Sequence, residues 1–183
     1  MKEIRLHGRG GQGLVKGAQM IVKAAVSSGK YATFIPFFGV ERKGSPVYGF
    51  LRINDKPIRP KNMVYNPDCI VVLDDTLLFE VNVFEGMKDR GIVLLNSAHS
   101  VDQLPLPEQA GKIGIVNATD ISIKYLGRNI PNTTVLGAFS RVTGWLPLDA
   151  VVDVISAEFN EANVDACKEG YEKTIVVEGR RLD

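Results

Sequence analysis

The order of apolar and polar positions divides the chain into alternating extended and helical segments. Ile4 and Leu6 alternate with polar neighbours, the period of a strand, and lead into four glycines in six residues, Gly8, Gly10, Gly11 and Gly13. Beyond them Leu14, Ala18, Ile21, Val22 and Ala25 recur at helical spacing, predicting a helix over 14–28 that Gly29 closes. Residues 31–38 are an aromatic extended run interrupted by Pro36, which suits a strand at or near a sheet edge. A strand is expected over 47–53, then a turn at Asn54, Asp55 and Pro57, then a short edge strand at Ile58, Arg59 and Pro60. Two strands joined so closely imply an antiparallel pair.

The runs 69–73, 91–96 and 112–116 are continuously apolar, the pattern of strands buried on both faces of a parallel sheet. Between and after them the spacing predicts helices over 77–89, 121–126, 133–144, 148–159 and 163–171, with Asp75 or Thr76 as cap of the first and Pro147 opening the fourth. Residues 100–111 read as a proline-rich connection with a short helix. This alternation predicts an α/β fold, a single three-layer domain with a mixed, mostly parallel sheet.

Composition changes that picture little. The chain has 183 residues, 45% hydrophobic and 23% charged, which suits one ordinary core. Its formal net charge of +1 supplies no whole-molecule field for nucleic acid or an anionic membrane, and no 18-residue apolar run offers a membrane span. Met1, Lys2 and Glu3 run straight into a strand, so no signal peptide is expected. Cys69 and Cys167 lie far apart, with no C-x-x-C, so neither zinc nor an iron–sulfur cluster is signalled. Two free buried thiols fit a reducing cytoplasm.

The candidate chemistry gathers at two loops. Gly8, Gly10 and Gly13 match G-x-G-x-x-G between a strand and a helix, where helix amides and dipole favour an anion and Arg9, Gln12 and Lys16 add donors. The dinucleotide fingerprint also needs an acidic residue about 20 positions on. The window 26–37 contains no Asp or Glu, so a packing or interface turn outweighs NAD or FAD binding. The second loop places Glu41, Arg42 and Lys43 between Gly39 and Gly44. It reads either as a solvated connection or as a positioned loop that meets a phosphate or a partner's carboxylate.

No complete catalytic apparatus is visible. His7 and His99 stand at strand ends that could meet at one sheet edge, though structural roles suit both better. Asp74 and Asp75 close a strand where α/β proteins place function, yet a helix cap and a surface acid explain them better. Ser45, Ser97 and Ser140 lack a nucleophile-elbow context, and the glycine loop lacks the Gly-Lys-Ser/Thr ending of a P-loop. The residues describe a docking loop without chemical machinery of its own.

With those segments in hand, the chain resembles the gamma subunit of 2-oxoacid:ferredoxin oxidoreductases, especially of pyruvate:ferredoxin oxidoreductase (pyruvate synthase). The likeness rests on residues 7–13 with Lys16, Gly17 and Ala18, on 34–44, on the strand 47–53, and on Asn132, Thr133, Thr134, Val135, Leu136, Gly137, Ala138 and Pro147. It covers nearly the whole chain, and implies one Rossmann-like gamma-type domain over 1–183. The resemblance further implies a cytoplasmic complex with alpha, beta and ferredoxin-like delta subunits. Such complexes convert pyruvate to acetyl-CoA and pass electrons to ferredoxin. Thiamine diphosphate, Mg2+ and [4Fe-4S] clusters would sit in other subunits or at interfaces. For this chain it leaves assembly and part of the coenzyme A path, with Gly8, Arg9, Gly10, Gly11, Gln12, Gly13, Glu41, Arg42 and Lys43 as contacts to coenzyme A or to other subunits. The same role in a complex for 2-oxoglutarate, a branched-chain oxoacid, indolepyruvate or oxalate, or a stand-alone nucleotide-binding protein, is the alternative.

Overall fold

The computed structural model describes residues 1–37 and 44–179. At its centre lies β4 (Cys69–Val72), whose four residues are all buried. It pairs in parallel with β1 (Lys2–Arg9) on one side and β5 (Ile92–Asn96) on the other, and β5 pairs in parallel with β6 (Lys112–Val116). Three antiparallel pairings complete the seven-stranded sheet. β3 (Pro46–Asn54) lies against β1, β2 (Tyr31–Phe37) forms the edge beyond β3, and β7 (Ile175–Glu178) closes the far edge on β6, giving the order β2-β3-β1-β4-β5-β6-β7. The mixed, centrally parallel α/β sheet expected from the apolar runs is present.

The two faces of the sheet are covered differently. Side chains alternate across a strand, so Cys69 and Val71 face one core while Ile70 and Val72 face another. The first core is helical: α1 (Leu14–Ser27), α2 (Ala118–Leu126), α3 (Asn132–Thr143), α4 (Leu148–Glu158) and α5 (Glu161–Lys173) all contribute to it. Gly137 lets α3 approach α5, since a Cβ there would stand 1.9 Å from the carbonyl oxygen of Cys167. The second core is closed by irregular chain, with Leu77, Val83, Met87, Leu104 and Ala110 packed on the sheet.

Irregular chain carries carbonyls that no helix satisfies, and a buried carbonyl without a donor is costly. Two buried arginines meet that demand. Arg52, 1% exposed on β3, donates to the carbonyls of Asn62 (2.9 Å) and Met63 (3.2 Å) and pairs with Glu3 at 2.9 Å. Arg5 on β1 donates to the carbonyls of Val83 (2.8 Å) and Glu85 (2.6 Å).

Four local expectations are corrected. Residues 77–89 form no α-helix: a 3-10 turn, Asp75–Phe79, gives way to bends and turns, because Val81 and Val83 are poor helix formers and Gly86 takes φ +67°. Its cap is Asp74, which accepts from the amide of Thr76 at 3.1 Å, rather than Asp75 or Thr76. Ile58, Arg59 and Pro60 form no strand; β3 pairs antiparallel instead with β2, which precedes it in the chain, and with β1. The strand β7 has no expected counterpart.

Arg52→Met should lower stability by about 3–5 kcal/mol, the cost of removing one member of a buried charged network. Urea unfolding measures it, and a loss below about 1 kcal/mol would mean that water replaces the guanidinium.

Candidate functional site

The parallel strands β1, β4, β5 and β6 end together, and the glycine turn lies at the end of β1. Its groups are largely occupied from within. The Gln12 carboxamide accepts from the Arg9 amide at 2.8 Å and donates to Asp74 at 2.8 Å. The Gly10 amide donates to Ser45 at 2.9 Å and the Gly44 amide donates to Gly10 at 3.2 Å, extending the β1–β3 ladder into the turn. The Arg9 guanidinium donates to Thr76 (2.6 Å) and Glu80 (2.6 Å), donates to the Gly44 carbonyl at 3.2 Å, and lies 3.4 Å from Asp74. Arg9 therefore holds the start of the 3-10 turn over β1 and is not directed outward as a lone anion clamp.

Two glycines carry the turn geometry. Gly11 (φ +99°) has open space where a Cβ would be, whereas at Gly13 (φ +76°) a Cβ would meet the Asn132 carboxamide at 2.6 Å. Gly13 is the N-cap of α1, and no side chain caps this helix. Among the described residues the amides of Gly11, Gly13, Leu14, Val15 and Lys16 have no acceptor, so the donors the turn leaves open are backbone. Lys16 pairs with Glu158. Gly8 sits within β1, and Glu41, Arg42 and Lys43 lie outside the described residues.

Two cavities lie near the turn, the first with Gln12 in its wall and the second meeting it only through Asn132, beside Gly13. One, of about 250 Å³, is lined by Gln12, Asn96, His99 and the carboxylates of Asp74, Asp75 and Asp120. Ser97 donates to Asp75 at 2.5 Å, and Asn96 donates to the Leu73 carbonyl at 2.8 Å. The other, of about 310 Å³, is lined by Tyr125, Arg128, Asn132, Phe159, Asn160 and Asn163, with no carboxylate among the described residues of its wall. Arg128, Asn160 and Asn163 of this second cavity were not singled out from the sequence, and Asn132 entered only as part of the segment that carries the family likeness. The one legible signal was Asn132 at the head of a small-residue helix.

The histidines do not share a site. His7 accepts from Arg5 Nε at 3.1 Å and stacks on Tyr48 at 6.1 Å between ring centroids, while His99 lines the acidic cavity. Burial, with Arg5 beside it, pushes the His7 pKa down to about 3. Burial pushes the Cys167 thiol up to about 12 and raises that of Cys69 as well. Cluster ligation needs accessible thiolates, so these cysteines do not fit an iron–sulfur centre. Among the described residues no three His, Cys, Asp and Glu side chains gather to hold a metal, and no helix is long and apolar enough to cross a membrane.

Fold and site together define an α/β domain of the strand–glycine turn–helix type. The chain belongs to the pyruvate ferredoxin/flavodoxin oxidoreductase family, whose model matches residues 3–173. It is 48% identical to the pyruvate synthase subunit PorC of Methanothermobacter marburgensis, over 94% of this chain and 97% of that one. It is 46% identical to the gamma subunit common to pyruvate and ketoisovalerate oxidoreductases of Thermococcus kodakarensis, over 97% of this chain and the whole of the relative. Among solved structures, the pyruvate oxidoreductase subunit PORC of Thermotoga maritima superposes with a TM-score of 0.85 at 39% identity, covering 97% of this chain and 98% of that one.

Gly13→Ala and Gly11→Ala separate strain from packing. Both put a side chain in the left-handed region, at about 1–2 kcal/mol. Only Gly13→Ala also strikes Asn132, and should cost about 1–3 kcal/mol more in urea unfolding; equal losses would refute the contact. For His7, a folded pKa below the ordinary imidazole value of 6.5 means that only the unfolded chain gains the proton between pH 6.5 and 3. The His7 contribution is complete above pH 6.5 and is lost toward pH 3, with a slope of at most about 1.4 kcal/mol per pH unit. His7→Gln keeps an acceptor for Arg5, and its stability profile should be flatter in that window; an unchanged slope would contradict this origin.

Proposed function

We propose that this chain is the gamma subunit of a pyruvate:ferredoxin oxidoreductase, serving assembly and one wall of the coenzyme A path while the chemistry proceeds in other subunits. The observation that carries the reading is the pairing of family membership over residues 3–173 with a turn whose unsatisfied groups are backbone amides at a helix N-terminus. Such amides suit the phosphates of coenzyme A, which need donors but no catalysis. The partners are the alpha, beta and ferredoxin-like delta subunits, with ferredoxin as acceptor of the electrons, in a cytoplasmic complex. Thiamine diphosphate with Mg2+, which supplies carbanion chemistry when bound, and the [4Fe-4S] clusters belong to those subunits. The two buried thiols here match neither.

Within the turn, Gly11, Gly13 and the first residues of α1 make the ligand contacts, with Gly8, Gly10 and Gln12 shaping the loop and Arg9 bracing it. Glu41, Arg42 and Lys43 belong to the same path or to its subunit interface. A second oxoacid is favoured by one observation: the Thermococcus relative is named for ketoisovalerate as well as pyruvate, so a branched-chain complex is the alternative.

Reconstitution tests this. Alpha, beta and delta with this chain should couple pyruvate and coenzyme A to ferredoxin reduction, and omission of this chain should abolish the coenzyme A-dependent rate. In the assembled complex, Arg42→Gln should raise the KM for coenzyme A about tenfold, one charged phosphate contact, with kcat unchanged. Dissociation of the variant complex on a sizing column, with unchanged kinetics in what remains assembled, would assign Arg42 to the interface instead.

A further inference from the structure

We infer that the strap between β3 and β4, residues 55–63, is a docking surface for a small acidic electron-carrier protein, an inference that rests on the oxidoreductase reading above. The strap starts where β3 ends, at the opposite end of β1 from the glycine turn. It contains no helix or strand, yet both of its ends are fixed. The Asn54 carboxamide donates to the Lys56 carbonyl at 2.9 Å. The buried Arg52 guanidinium donates to the carbonyls of Asn62 and Met63 and to the Asn62 carboxamide oxygen. Val64, 2% exposed, anchors the chain beyond them. Pro57 and Pro60 remove backbone freedom between those anchors.

This held loop presents positive charge to solvent. Lys56, Arg59 and Lys61 are all exposed, and none pairs with a carboxylate of another described residue, whereas Lys16, Lys23, Lys88 and Lys124 each do. The one acid of the strap, Asp55, is taken by Lys30 at 2.8 Å. Glu3, which shares Arg52 with the strap, is taken by that guanidinium at 2.9 Å. Three uncompensated cations within residues 56–61 contrast with a formal net charge of +1 for the whole chain.

That pattern selects the partner. With so small a net charge, no wider basic field supports nucleic acid or a membrane surface. The cores of permanent interfaces are depleted in lysine, whose charge is costly to desolvate. Exposed cations instead steer an oppositely charged protein into a brief, salt-sensitive encounter. Met63, 39% exposed, and Tyr65, 63% exposed, supply apolar contact beside them. The family takes its name from ferredoxin and flavodoxin, electron carriers that must leave after each reduction. Weak redox encounters of this kind use small interfaces, and an Asp- and Glu-rich carrier face complements the strap.

The test uses the reconstituted complex, with ferredoxin as acceptor and methyl viologen, a cationic dye, as control. The triple variant Lys56→Glu, Arg59→Glu, Lys61→Glu should raise the KM for ferredoxin at least about tenfold at low ionic strength. In about 0.5 M salt the difference should shrink to about twofold, because exposed charges are then screened. Pyruvate-dependent reduction of methyl viologen and the KM for coenzyme A should stay within about twofold of wild type. Lys56→Gln with Lys61→Gln removes two charges without reversing them, and should give a smaller rise in the same direction. A wild-type KM for ferredoxin in the triple variant would overturn the inference and leave the oxidoreductase reading intact. Loss of subunits from the triple variant on a sizing column would also overturn it, by assigning the strap to a permanent interface. A wild-type complex that passes electrons from pyruvate to viologen but never to ferredoxin would overturn both.

Discussion

The carboxamide of Gln12 is the constraint on which the site depends. It closes the glycine turn by accepting from the Arg9 amide and, through its other end, ties that turn to Asp74 at the end of β4. Asp74 also caps the 3-10 turn that follows and lies beside the Arg9 guanidinium. Two neighbouring parallel strands are thereby locked at their C-terminal ends, where α/β sheets place ligands. Because the donors of Arg9, Gly10 and Gln12 are already engaged inside the protein, the turn offers a ligand little beyond backbone. That is the physical meaning of a glycine-rich motif without an acidic ribose partner. Its internal contacts hold it closed, and the donors it leaves open among the described residues are backbone amides.

The unequal covering of the sheet explains how this came about. Five helices share one face, so the other is left to irregular chain. Closing that face requires donors for carbonyls, and Arg5 and Arg52 supply them from the strands beneath. Arg9 continues the same row on β1 and does the same work at the site, holding Thr76 and Glu80. An arginine that looks like a phosphate ligand in the sequence thus belongs to the series that fastens coil onto sheet. The open amides lie on the other side of the turn, where α1 begins and Asn132 abuts Gly13.

Much of this was readable from residues alone, and the exceptions have physical causes. The strands 69–73, 91–96 and 112–116 announced themselves because burial on both faces leaves no polar alternation to confuse them. The helices after β6 were legible from period and from Gly127, Gly144 and Pro147 at their ends. Residues 77–89 misled because Leu77, Val83 and Met87 are apolar for contact with a sheet, with no helical period behind them. The short strand β7 was hidden in a charged terminus, since Ile175 and Val176 are partly exposed on an edge. At the site, the glycines were found, but the roles of Arg9 and Gln12 depend on Asp74 and Thr76, more than sixty residues away, which no local pattern reveals. Arg128, Asn160 and Asn163 are polar residues in loops and first turns, indistinguishable by sequence from ordinary caps.

The central claim is that the turn is already fixed by its own contacts and keeps a particular set of amides for coenzyme A. Residue-resolved hydrogen exchange on the assembled complex, with and without coenzyme A, tests it most directly. The Arg9, Gly10 and Gln12 amides should be protected in both conditions, while Gly11, Gly13, Leu14, Val15 and Lys16 gain protection when coenzyme A is added. Exchange at those five amides that is unmoved by saturating coenzyme A would contradict the account.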